Sequence, residues 1–104
     1  MPAALIDHAT TADKKLVNAV PGKRIRVHSL LLQAANAVNV TFGFIDESST
    51  FTAASGALPE VGATGFTLPH NPEGWFLTGI NEAFGLRLSG NVQVSGMLNY
   101  SLVG

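Results

Sequence analysis

The sequence predicts an all-β protein, a single-domain antiparallel β-sandwich of about eight strands, and three observations carry that prediction. Apolar residues recur at every second position over long stretches, and no stretch repeats them at helical spacing. Clusters of Gly, Pro, Asn and Asp interrupt the runs at intervals that suit a sandwich or a jelly roll. The chain of 104 residues is long enough for one domain with one core.

Taken in order, residues 1–15 carry Thr10, Thr11, Asp13 and Lys14 and little that would pack. They are expected to form an N-terminal arm, flexible or docking on a partner, ahead of a sandwich spanning 16–104. A short strand around Leu16–Val20 is broken by Pro21-Gly22. In the next strand Ile25 and Val27 point inward, while Arg24, Arg26 and His28 point outward. It continues as Leu30-Leu31-Leu32, an unbroken apolar run expected to be covered on both faces. Val38, Val40, Phe42 and Phe44 fall on one parity and end at the turn-prone Asp46-Glu47-Ser48-Ser49.

Residues 55–65 contain three glycines and a proline and read mostly as loop. Phe66 and Leu68 start a short strand that Pro69 stops. His70-Asn71-Pro72-Glu73-Gly74 is a tight turn with Pro72 at its first corner, and Trp75–Thr78 is another strand. Phe84, Leu86 and Leu88, the turn Ser89-Gly90-Asn91 and the alternating run from Val92 to Leu102 read as a hairpin. Gly96 sits in the inward series of that last run, which marks a bulge or a neighbour lying on the backbone. The expected core includes Phe42, Phe44, Leu86, Leu88 and Tyr100, with Trp75 plugging one end.

Composition narrows the function classes. Charged residues make up 12 %, about half the usual share of ~25 %, while Ser, Thr, Asn and Gln number 24. Short hydroxyls and amides are cheaper to bury between subunits than charges, so a homo-oligomer is expected. Residues 1–26 hold five of the six basic groups and two acids, and residues 27–104 one base and five acids. Lys14, Lys15, Arg24, Arg26 and His28 are therefore candidate contacts to an acidic partner surface. The net charge of −1, with no aromatic residue interleaving the cations, argues against a nucleic-acid partner. No apolar run approaches the ~18 residues of a membrane span, so no membrane partner is expected.

Chemistry finds little purchase. The chain has no cysteine, and His8, His28 and His70 are far apart with no local metal-ligand spacing. His70 and Glu73 across a turn could hold a cation or move a proton, but a solvated loop histidine near a turn carboxylate is much the stronger reading. Gly-x-Ser-x-Gly elbows, phosphate-cradling glycine loops and calcium loops are all missing, so neither an enzyme nor a cofactor is expected.

Four segments bear a likeness: Pro21-Gly22-Lys23-Arg24-Ile25-Arg26-Val27, Asn71-Pro72-Glu73-Gly74-Trp75-Phe76-Leu77-Thr78, Glu82-Ala83-Phe84-Gly85-Leu86-Arg87-Leu88-Ser89 and Val94-Ser95-Gly96-Met97-Leu98-Asn99-Tyr100. In that order they resemble small jelly-roll virion proteins of tailed bacteriophages, over roughly residues 20–103. Phe84 and Gly85 stand where the group more usually has Leu and a polar residue. The resemblance implies a capsid decoration (cement) protein, often trimeric, whose partners are its own copies and the major capsid protein. Its place would be the capsid exterior of the virion, after synthesis in the host cytoplasm. The opening Met1–His8, which lacks a basic leader, fits that origin. The alternative is a tail- or head-fibre module that binds a host receptor or glycan, with Trp75 and the 48–65 loop as its contact. The group's motifs are turns and strand cores, and no catalytic residue carries over from it.

Overall fold

Alternating apolar residues build the strands, and their inward side chains decide how the strands stack. The computed structural model describes residues 3–56, 58–60 and 64–104, with Pro59, Glu60, Thr64 and Phe66 described by backbone alone. Ten strands are present among them: β1 (Ala3–His8), β2 (Lys14–Val17), β3 (Arg24–Ala34), β4 (Val38–Ile45), β5 (Phe51–Ala53), β6 (Leu58–Glu60), β7 (Thr64–Leu68), β8 (Phe76–Leu77), β9 (Ala83–Leu88) and β10 (Val94–Val103). One sheet runs β1-β10-β3-β7, with β8 also on β3; the other runs β2-β9-β4-β5, with β6 also on β4. All pairings are antiparallel. The protein is thus a single-domain β-sandwich, and its strand order is jelly-roll-like: the outermost strands in sequence pair first, β1 with β10 and β2 with β9.

The core lies between the sheets. Ile25, Val27, Leu30, Leu32, Val94 and Leu98 come from the first sheet, and Val40, Phe42, Phe84, Leu86 and Leu88 from the second. Phe42 and Phe84 stack at 5.8 Å, and Phe76 of β8 tilts against them at 5.6 and 5.1 Å, joining the two sheets. The expected core residues Phe42, Leu86 and Leu88 are buried, and Phe44 and Tyr100 pack partly buried against them.

Two predicted turns form as read. Gly74 N–H donates to Asn71 O at 2.9 Å with Pro72 at the first corner. Asp46 Oδ1 accepts from the Ser48 and Thr50 amides, both at 2.9 Å. Gly96 is also explained: a Cβ there would collide with the carbonyl oxygen of Leu31 on β3.

Four expectations are corrected. Residues 3–8 are not an arm but strand β1, paired along its length with β10 and sinking Ile6 into the core at 1 % exposure. The runs on either side of Ser89-Gly90-Asn91 are not a hairpin, because β9 and β10 lie in different sheets and the turn crosses the sandwich. Leu30-Leu31-Leu32 is not covered on both faces, since Leu31 is left exposed. Its parity comes instead from a β-bulge: Asn99 faces Ser29 and Tyr100 faces Val27, so His28 is an extra residue. Odd positions face the core before the bulge and even positions after it. Trp75, the fourth, is 43 % exposed and does not plug the core. Phe76 next to it takes the inward place. The 55–65 loop contains β6 and the start of β7, while Ala57 and residues 61–63 lie outside the described residues.

Candidate interaction surface

The five cationic candidates do not form one surface. Lys14 and Lys15 are exposed on β2, in the second sheet, whereas Arg24, Arg26 and His28 belong to β3, in the first. Arg24 is exposed, but Arg26 is half-buried and its Nε is enclosed without a hydrogen-bond partner. Arg26 lies under Gly74, where a Cβ would come within 2.5 Å of its Cγ. His28, expected to point outward into solvent, is 5 % exposed because the 69–75 loop closes over it. Its Nδ1 donates to Asn71 O at 2.8 Å, which leaves Nε2 to pair with the Ser101 hydroxyl at 2.8 Å. His70 stacks on it with ring centroids 5.5 Å apart. The bulge lifts His28 to meet that loop, so the ridge Arg24-Arg26-His28 serves packing at two of its three positions.

The two outer faces of the sandwich differ sharply. On the second sheet, Gly43 and Gly85 face each other across β4 and β9, and the missing side chains leave a shallow floor. Phe51 of β5 lies on it: a Cβ at Gly43 would come within 2.5 Å of the Phe51 ring. Ile45 fills the same floor beside Gly85 and is buried. The Arg87 guanidinium then covers the Phe51 ring at 4.4 Å and is held by Asp13 through two hydrogen bonds of 2.7 and 3.1 Å. The hydrogen bonds that Arg87 donates to the Asp13 carboxylate raise the arginine's pKa further. That face is finished against water.

Among the described residues, the outer face of the first sheet has no such cover. Residues directly opposite in antiparallel strands project from the same side, and the register aligns Leu5 of β1, Met97 of β10, Leu31 of β3 and Thr67 of β7. Leu5 is 79 % exposed, and Leu31 and Met97 are each 43 % exposed. Ser29 with Asn99 and Gln33 with Ser95 form the neighbouring rows. The Asn99 amide donates to Ser29 Oγ at 3.0 Å. A groove of about 310 Å³ runs between Leu31, Met97, Thr67 and Pro69. Leu77 projects from the same face beside Arg26, with exposed Trp75 next to it. The Trp75 indole N–H is already given to Pro69 O at 2.8 Å. Of the other exposed large apolar residues among those described, Leu102 lies on β10 and Ile80 stands beside the turn at Asp46–Ser48.

This row left a trace in the sequence that period-two reading passes over. Leu5-Ile6, Leu31-Leu32 and Met97-Leu98 are adjacent apolar pairs that break the alternation. In each pair one residue enters the core and the other joins the outer row. Three breaks meeting at one register is a signal that becomes visible only once the strands are paired.

On this face hydroxyls and amides predominate, with His70 at the groove and Asp7 at the β1 edge as titratable groups. Among the described residues no group of three or more His, Asp or Glu could hold a metal ion, and no helix is long and apolar enough to cross a membrane. Compared with known proteins, the chain matches no family model, no curated protein and no solved structure.

Proposed function

We propose that this chain is a phage virion structural protein, a capsid decoration protein that assembles as a homotrimer and binds the major capsid protein on the outer face of the shell. The observation that carries this reading is the contrast between the sandwich's faces, one with its centre capped by an ion pair and one with an apolar centre left open and charges only toward its margins. A protein whose task is assembly needs such a surface, and it needs no reaction centre. The jelly-roll-like strand order and the phage-like motifs, which fall at the 71–74 turn and along β9 and β10, support the same reading. Several weak contacts made together by an oligomer give high avidity, so each contact with the shell can be small.

The test is sedimentation of purified protein with emptied shells of the parent phage. Binding to expanded but not unexpanded shells supports decoration, and no binding to either contradicts it. The second reading, a fibre module, is favoured by the exposed Trp75, whose ring could stack on a sugar. An adsorption assay on host cells separates the two: competition by the free protein selects the fibre module.

A further inference from the structure

We infer that the outer face of the first sheet, centred on the cross-strand row Leu5, Met97 and Leu31, is where copies of this chain meet one another. The inference names the partner for the self-association that the virion reading requires, and to that extent rests on it.

The occupant is chosen by chemistry and by size. Thr67 ends the central row, and the rows beside it hold Ser29 with Asn99 and Gln33 with Ser95, uncharged groups that both donate and accept hydrogen bonds, with Asp7 at the β1 end of the second. The centre of such a surface holds no charge for a strongly charged partner, and it complements itself: apolar row against apolar row, amide against hydroxyl. Asp7, the acid at the margin, is already bonded by Gln93 Nε2 at 2.6 Å. The second sheet is excluded as the meeting face because Phe51, Arg87 and Asp13 have closed it.

The size comes near what is needed. Strands of 6, 10, 11 and 5 residues at ~3.3 Å per residue, spaced ~4.8 Å apart, outline roughly 500 Å² before side-chain relief is added. A stable interface takes about 800 Å² from each partner. Leu77 and Trp75 extend the apolar area toward that figure. Around a three-fold axis the central row of each copy would meet its equivalents at the axis, while the flanking rows of one copy meet different rows of the next.

Light scattering of the full chain at micromolar concentration, beside Met97→Lys and Leu31→Lys, tests this. Both positions are exposed in the single chain, so the variants should fold, and circular dichroism checks that they do. Asn39→Lys, on the second sheet's outer face, is the control. The parent and the control should run at a multiple of 10.9 kDa, and each first-sheet variant should dissociate to 10.9 kDa with association weakened at least ~100-fold. A parent that is already monomeric overturns the inference, as do folded lysine variants that keep the parent mass. Variants that keep the mass but no longer bind shells also overturn it, by assigning the face to the capsid. If the variants dissociate but the parent oligomer binds no shell, the face stands and the virion reading falls.

Discussion

Ile6 is the residue on which the fold most visibly depends at its N-terminal edge. It is 1 % exposed, faces Gly96 on β10 and packs into the core between the sheets. Ile6→Ala removes three buried carbons, which at ~0.8 kcal/mol each is about 2.4 kcal/mol before any cavity is counted. Substitutions of this kind cost ~2–5 kcal/mol, and an edge strand can partly collapse onto the gap, so about 3 kcal/mol is expected. For a domain of this size each kcal/mol lowers Tm by ~4–8 °C, giving a drop of roughly 12–24 °C. The assay is thermal and urea unfolding followed by circular dichroism, carried out in the Met97→Lys background so that dissociation does not contribute. Leu5→Ala in the same background is the internal comparison: next in sequence but 79 % exposed, it should change stability by less than ~0.5 kcal/mol. If Ile6→Ala costs under ~1 kcal/mol, or if the two variants cost the same, β1 does not dock as described. By the same reasoning, deletion of residues 2–15 should prevent folding, because it removes all of β1 and the start of β2.

Gly96→Ala should destabilise by about 1–3 kcal/mol, read as a lower urea midpoint, because its Cβ would collide with the Leu31 carbonyl. Replacing His28 with Phe should cost about 1–3 kcal/mol in the same assay, since the Asn71 carbonyl and Ser101 hydroxyl lose their partner under the loop. Trp75→Ala should lower stability by under ~2 kcal/mol, less than the ~3–5 of a core Trp, because nearly half the side chain is in water. A Tm loss as large as that of Ile6→Ala would return Trp75 to the core.

The sequence is informative wherever one face of a strand meets the core and the other meets water. The Val38–Phe44 alternation gave β4 its inward residues, and the Asn-Pro-Glu-Gly turn formed as its chemistry requires. It misleads where those conditions fail. Leu5 and Ile6 are adjacent because Leu5 joins an apolar row outside β1, and the polar Thr10, Thr11, Asp13 and Lys14 that follow made the whole segment read as an arm. The Leu30–Leu32 run hid a bulge, which shifts parity by one without changing residue type. The Ser89–Asn91 turn could link two strands of one sheet or of two, and only long-range pairing with β4 and β3 decides. Trp75 and Phe76 are both large aromatics, and the choice between them depends on which reaches Phe42 and Phe84. The charge asymmetry along the chain had no counterpart in a single surface, because β2 and β3 enter opposite sheets.

Quantitative mass spectrometry of purified particles, separated into heads and tails, decides whether this chain is an assembling component of a virion head, as proposed. The chain is expected in the head fraction, in many copies and in fixed proportion to the major capsid protein. Finding it only in tails, or in infected cells but not in particles, would contradict the proposal.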